Sequence, residues 1–227
     1  GLGTRLHPIT LEFPKTLLTV RKKPILNYLI ELFNKNGVQE VIVSANESHV
    51  EDFQWWQKRH GLPSVNFAWE PTLRGTFGGL RDLKLDDTFL LTNGDELKDF
   101  DLKALIDFHK NHKEKPAATI ALVKVENPGD YGVPVMSGDK IEKFLEKPKN
   151  LYPPAGGRQS NYISSGLYIL EPEVFKYADW SKDFLMIETD IFPKLAAAGK
   201  LFGYKIENGK WLDCGTLERW EKAIREW

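Results

Sequence analysis

The sequence predicts an α/β fold, a three-layer sandwich with helices flanking a mostly parallel sheet. Helix-period stretches alternate with short continuous apolar runs, and the connections between them are short. The runs Val41-Ile42-Val43 and Phe89-Leu90-Leu91 carry no polar alternation, as expected of strands covered on both faces. Glycines and carboxylates gather just past such runs, where ligands bind in sheets of this kind.

Each element has its own signal. Pro24 to Asn36 reads as a helix, with Ile25, Leu26, Leu29, Leu32 and Phe33 at helical spacing, Pro24 suiting its first turn and Gly37 its exit. A strand over 38–44, a helix over 49–59 closed by Gly61, and an alternating strand through Val65, Phe67 and Trp69 follow. After Glu70 the chain is expected to enter a helix with Phe77, Leu80 and Leu83 on its apolar face. Phe89 to Thr92 is a buried strand, and Leu102, Leu105, Ile106 and His109 mark a helix that Asp101 would cap. A strand over 117–125 leads to a small hairpin lobe turning at Ser137-Gly138-Asp139, with its second strand over 141–145. Residues 151–160, rich in proline and glycine, lack periodicity and read as a mobile flap. A strand follows over 161–170. A helix over 184–198, bent at Pro193, has Met186-Ile187-Glu188 as a packing element. Strands over 201–206 and 211–212 flank the turn Glu207-Asn208-Gly209-Lys210, and a final helix begins after Thr216.

Composition narrows the function. At 227 residues the chain fits one domain, and 41% hydrophobic with 28% charged residues is ordinary for a globular protein. A formal net charge of −1 without a basic run argues against nucleic acid or an anionic membrane as partner. Cys214 is the single cysteine, so no intrachain disulfide forms and a reducing cytoplasm is the expected location. No apolar run approaches the roughly 20 residues of a membrane span, and no signal peptide is visible.

Chemistry starts at Gly1-Leu2-Gly3-Thr4-Arg5-Leu6 and continues to Phe13-Pro14-Lys15. Glycines let backbone N–H groups approach an anion; Arg5 adds a planar fork matched to phosphate oxygens and Lys15 a point charge. The spacing is not G-x-G-x-x-G, which disfavours a dinucleotide-dependent oxidoreductase. Asn93-Gly94-Asp95 leaves a buried strand and presents a carboxylate suited to a metal. Asp99-Phe100-Asp101 has the D-x-D form used by many glycosyltransferases, but N-capping is the simpler job for Asp101, and His109 reads as a packed histidine.

The string G-x-G-T-R-L, then Pro14-Lys15, Leu17-Leu18 and Lys23-Pro24-Ile25-Leu26, closely resembles the signature of the sugar-1-phosphate nucleotidyltransferases. Within that family it is most like the mannose-1-phosphate and heptose-1-phosphate guanylyltransferases. Later motifs keep the family's order: Glu70 to Gly75-Thr76, Asn93-Gly94-Asp95, Tyr131-Gly132-Val133, Glu146-Lys147-Pro148, Asn161 to Leu170, and Trp211 to Thr216. The resemblance implies one Rossmann-like catalytic domain over 1–227. Its members usually open with a short strand and one more glycine, and this sequence starts inside the motif. No hexapeptide repeat announces the left-handed β-helix of longer relatives.

What the resemblance implies for the site is specific. Leu2, Gly3, Thr4, Glu70, Gly75, Thr76, Asn93 and Gly94 would bind the nucleotide; Arg5, Lys15, Asp95 and Lys147 would serve catalysis; Asp95 and Asp213 would hold Mg²⁺. Gly132, Glu146, Asn161 and Gly166 would bind the sugar. An acceptor-only carboxylate at Glu70 suits guanine's paired donors and favours GTP. Cys214 would be buried filler. The expected partners are an NTP and a sugar 1-phosphate, mannose-1-phosphate-like favoured, with a homodimer left open. The alternatives are uridylyl or thymidylyl transfer to glucose- or amino-sugar-1-phosphate, a glycosyltransferase, and a non-catalytic nucleotide-sugar-binding relative.

Overall fold

The computed structural model describes residues 3–148 and 161–227. After α1 (Ile9–Glu12) come the short strands β1 (Thr19–Val20) and β2 (Lys23–Pro24), then α2 (Ile25–Lys35). β3 (Val41–Asn46), α3 (Val50–His60) and β4 (Val65–Glu70) form a parallel β–α–β unit. Next stand α4 (Gly75–Gly78), β5 (Phe89–Thr92), β6 (Glu96–Phe100), α5 (Leu102–Asn111) and β7 (Ala118–Lys124). β8 (Gly132–Ser137) and β9 (Lys140–Glu146) make the hairpin lobe. β10 (Tyr162–Leu170), α6 (Phe192–Ala197), β11 (Leu201–Lys205), β12 (Gly209–Asp213) and α7 (Leu217–Glu226) complete the chain.

The largest sheet has six strands in the order β5-β10-β7-β11-β9-β8. Its residues alternate between two buried layers. Ile120, Leu122, Tyr168 and Leu170 pack with Phe192 and Leu195 of α6. Ala121, Val123 and Ile169 pack on the other face with Leu29, Leu32 and Phe33 of α2 and Leu102 and Leu105 of α5. The period-2 strand places both sets in the core, so a central strand must be apolar throughout. The outcome is the expected three-layer α/β sandwich with a small hairpin lobe.

Pairing sense is more mixed than a mostly parallel sheet. β7–β11 and β3–β4 are parallel, whereas β10 runs antiparallel to both β5 and β7, and β9 antiparallel to β11. β6 pairs antiparallel with β12, placing Asp213 opposite Glu96 and Trp211 opposite Lys98. β6 carries no strand signal in the sequence, because Glu96-Leu97-Lys98-Asp99-Phe100 places the charged Glu96 and Lys98 on a buried face.

Two helices differ from expectation. The one entered near Thr76 ends at Gly78, since Leu185 O accepts from both Phe77 N (2.9 Å) and Gly78 N (3.1 Å) and ties the segment to a distant strand of chain. The helix expected over 184–198 is extended to Met186, makes a π turn over Ile187–Ile191, and becomes α-helical only at Phe192. Asp190 causes the late start: its Oδ2 accepts from Met186 N at 2.9 Å while Ile187 N is drawn to Thr76 Oγ1 at 2.9 Å. Pro193 therefore sits in a first turn, where its missing N–H costs nothing, and bends no helix.

Candidate active site

Three parts of the chain far apart in sequence, around residues 5–15, 95 and 213–215, meet at one place. The antiparallel β6–β12 pairing brings Asp213 beside the segment that carries Asp95, and Cys214 N donates to Asp95 O at 3.1 Å. Lys15, on the 3₁₀ turn Lys15–Leu17, donates from Nζ to Asp95 Oδ2. Arg5 arrives from the opening loop: a Cβ on Gly215 would lie 3.1 Å from Arg5 Nη2 and 2.8 Å from Asp213 Oδ1. Gly215 thus has no room for a side chain between guanidinium and carboxylate.

Both candidate metal ligands are held in defined orientations. Asp213 Oδ1 accepts from Gly215 N at 2.6 Å and Oδ2 from Arg219 Nη1 at 2.7 Å. Burial alone would raise the Asp95 carboxyl, but Lys15, by charge and hydrogen bond, and Lys98 hold it below its ordinary value, so Asp95 is ionised. The buried thiol of Cys214 is pushed up to about 12, first by burial and then by Asp213 and Asp95, which keeps it neutral and unreactive.

A second layer supports these carboxylates. Glu96 is buried and accepts from Asn93 Nδ2 (2.9 Å) and Trp211 Nε1 (2.8 Å); burial raises its carboxyl against the pull of Lys98. Lys98 Nζ, fully buried, lies 3.0 Å from Glu96 Oε2 but off hydrogen-bond geometry. Lys98 and Thr16 Oγ1 are the buried side-chain polar atoms without a hydrogen-bond partner among the described residues. Thr16 packs under Gly94, where a Cβ would come within 2.8 Å of its Cγ2. Gly166, at a bulge in β10 with φ +64°, packs against Asn93 and Glu96. This places Gly166 on the Asn93 network.

The donor set fits magnesium. Asp95 and Asp213 supply two carboxylates, each paired with a side-chain cation, and Mg²⁺ needs only one or two protein carboxylates beside phosphates and water. Asp95 and Asp213 would hold it.

The opening loop is preformed. Gly3 has φ +62°, its carbonyl accepts from Leu6 N (2.8 Å) and Thr10 Oγ1 (2.8 Å), and Thr4 and Arg5 stand exposed on the 3₁₀ turn that follows. Leu2 lies outside the described residues, as do residues 151–160, the segment read as a flap.

The predicted nucleotide-side residues form a second group. Glu70 is buried and accepts from Ser44 Oγ and from Arg74 N (3.2 Å), closing the loop that Pro71 opens. Gly75 has φ +84°, and Leu185 O leaves no space for a Cβ there. Thr76 Oγ1 accepts from Ile187 N and gives its only proton to Glu188 Oε2 at 2.7 Å, so this hydroxyl has no proton left for a ligand. Glu188 is no mere packing element: it is buried, hydrogen-bonded, and its carboxyl is raised by burial.

The sugar-side residues form a third group. Gly132 faces Glu146 across the hairpin, and a Cβ on Gly132 would strike the Phe144 ring and reach 3.1 Å from Glu146 Oε2. Glu146 Oε1 and Lys147 Nζ pair at 2.9 Å. Lys147 has φ +44°, and its N–H donates to Tyr131 O at 3.1 Å. Asn161 stands exposed at the entry to β10, its carbonyl accepting from Val125 N at 2.9 Å.

Tyr131 joins the third group to the first. Its ring meets Trp211 edge-on at 5.3 Å and lies 5.0 Å under Arg219 Cζ. Arg219, Glu96 and Lys98 carry no signal of their own in the sequence, whereas Tyr131 stands in the Tyr131-Gly132-Val133 motif and Glu188 in a segment expected only to pack. Only the register of β6 against β12 could have flagged Glu96 and Lys98. By contrast Asp101 caps α5 through Ala104 N (3.1 Å), and buried His109 packs between Thr119 Oγ1 (2.7 Å) and Glu171 Oε1 (3.0 Å), as expected.

Known proteins resemble this chain in sequence and fold. The family described as nucleotidyl transferase matches residues 1–226. The chain is 34% identical over 226 residues to mannose-1-phosphate guanyltransferase 2 of Candida glabrata, covering 95% of this chain and 59% of that protein. It therefore spans less than two thirds of that relative. Among solved structures, a putative glucose-1-phosphate thymidylyltransferase from Bacillus anthracis, in complex with a sucrose, superposes with TM-score 0.84 at 24% identity over 99% of this chain and 91% of that one. HddC from Yersinia pseudotuberculosis complexed with GMP-PN gives TM-score 0.78 at 26% identity, over 100% and 95%. The chain belongs to the nucleotidyl transferase family.

Proposed function

We propose that this chain transfers a nucleotidyl group from an NTP, GTP favoured, to a sugar 1-phosphate, mannose-1-phosphate favoured, releasing pyrophosphate in the cytoplasm. The observation that carries the reading is the meeting of Arg5, Lys15, Asp95 and Asp213 from distant parts of the chain. The sugar preference is supported by the names of relatives such as the Candida glabrata protein.

A phosphate oxygen of the sugar 1-phosphate attacks the α-phosphorus, the bond from that phosphorus to the bridging oxygen breaks, and pyrophosphate leaves with its electron pair. The attacker is already anionic, so the chain supplies alignment and charge rather than a strong base. The opening loop and Arg5 hold the departing pyrophosphate. Lys15 moves from Asp95 to the α-phosphate, and Lys147 holds the incoming sugar phosphate. Asp95 and Asp213 would hold a magnesium ion, which would supply further neutralisation of the phosphates when bound. Glu70 would read guanine through lone pairs left over from Ser44 and Arg74.

The test is a matrix of GTP, UTP, dTTP, ATP and CTP against mannose, glucose and amino-sugar 1-phosphates, scored by pyrophosphate. Release with GTP and mannose 1-phosphate is expected. Preference for UTP or dTTP would overturn the base assignment. Nucleoside diphosphate from a nucleotide sugar would mean glycosyl transfer, and binding without turnover a regulatory relative.

A further inference from the structure

The side chain that touches most of the parts joined here is one the proposed mechanism does not use. Arg219 lies in the first turn of α7, its backbone N–H held by Thr216 Oγ1 at 3.2 Å. Its guanidinium has two separate employments. Nη1 donates to Asp213 Oδ2 at 2.7 Å, and Nη2 donates to Asp130 Oδ2. The plane also covers the Tyr131 ring.

Asp130 closes the 3₁₀ turn Pro128–Asp130, and the two residues after it lead into the sugar side. Tyr131 O accepts from Lys147 N, and Gly132 is paired with Glu146. We propose that Arg219 is a positioning residue that locks the Asp213 carboxylate to the sugar-side hairpin, one arm of its fork on each. This deepens the nucleotidyl-transfer reading and rests on it. Only a fork can do both jobs, because the two N–H arms point to carboxylates on different elements and a lysine ammonium is a single point.

The charge and the fork predict different things. As a cation beside Asp213, Arg219 weakens the attraction of that carboxylate for a divalent ion. As a fork, it sets where Glu146 and Lys147 stand. Substitutions separate the two roles, and Mn²⁺ titration of the nucleotide-free protein by electron paramagnetic resonance reads the first without turnover.

Arg219→Gln should bind Mn²⁺ roughly three- to tenfold more tightly, because a positive charge is gone from the ion's neighbourhood. The same variant should raise KM for the sugar 1-phosphate about tenfold, the loss expected of one charge-assisted hydrogen bond. Arg219→Lys keeps the charge and loses the fork, so Mn²⁺ affinity stays at the wild-type level while KM rises. Asp130→Ala removes the acceptor, cuts only the hairpin arm, and should behave like Arg219→Lys. Opposite movement of the two readouts in Arg219→Gln is the signature, since local unfolding would weaken both.

Joint weakening in Arg219→Gln, or wild-type KM in both Arg219→Lys and Asp130→Ala, overturns the proposal. If the wild type releases no pyrophosphate with any substrate pair, the reaction reading fails. Unchanged or weaker Mn²⁺ binding by Arg219→Gln then also overturns the Asp213 arm.

Discussion

Gly166 and Gly138 have nearly the same positive φ, +64° and +65°, yet stand in opposite surroundings. A Cβ on Gly138, in the hairpin turn, meets nothing within 4 Å. One on Gly166 would lie 2.4 Å from Asn93 Nδ2 and 2.6 Å from Glu96 Oε1, between the partners of a 2.9 Å hydrogen bond. Gly138→Ala should therefore cost only the left-handed backbone, about 1–2 kcal/mol. Gly166→Ala carries that same cost and must also part Asn93 from a buried carboxylate, a further ~2–3 kcal/mol. For a chain of this size each kcal/mol moves the melting temperature by about 2–4 °C, so Gly166→Ala should melt roughly 4–12 °C below Gly138→Ala. Differential scanning calorimetry of the two variants beside wild type is the assay. Turnover follows: Asn93 is two residues from Asp95, so Gly166→Ala should lose pyrophosphate release below its melting temperature, and Gly138→Ala should keep it. Equal melting of the two variants would refute the close packing of Gly166 on Asn93 and Glu96.

Further expectations are shorter to state. Asp95→Asn and Asp213→Asn should each slow pyrophosphate release by about 10²-fold or more, the scale of one lost electrostatic stabiliser, and near-wild-type rates in both would defeat the metal assignment. Cys214, fully buried and with its thiol pushed up to about 12, should resist a thiol reagent at pH 8 in the native protein and react at once in denaturant. His109 has its pKa lowered, by burial first and against the pull of Glu171. Its contribution is present above the ordinary histidine value near ~6.5 and is lost as pH falls below it, because the unfolded chain takes the proton first. His109→Gln should accordingly show a smaller fall in melting temperature between pH 7 and pH 5 than wild type; an equal fall would show that His109 does not carry the acid sensitivity.

The layer architecture was legible because its signals are local. Ile120 and Leu122 face one helix layer and Ala121 and Val123 the other, so β7 is apolar from Ile120 to Val123, and a run of that kind is visible without coordinates. Caps were equally legible: Asp101 and Thr216 each accept from the backbone N–H three residues on, a job set by residue type and spacing. Helix starts decided by distant groups were not. Nothing near Ile187 announces that its N–H will be taken by Thr76, more than a hundred positions earlier, and the π turn follows from that capture.

The site divides along the same line, for a reason that lies in strand register. The family resemblance pointed to Asp95 and Asp213 separately, but what makes them neighbours is the pairing of β6 with β12, and a pairing is a property of two segments at once. That register also sets Trp211 opposite Lys98 and aims the indole N–H at Glu96, so the cross-strand pairs create a buried charged cluster under the two aspartates. A one-residue slip would turn Asp213 to the opposite face and bring Cys214, which now packs with Leu6, Leu18 and Leu97, into its place. The apolar face of this ribbon therefore fixes the chemistry of its polar face. Leu97 and Cys214 bury on one side only when Glu96, Lys98 and Asp213 share the other.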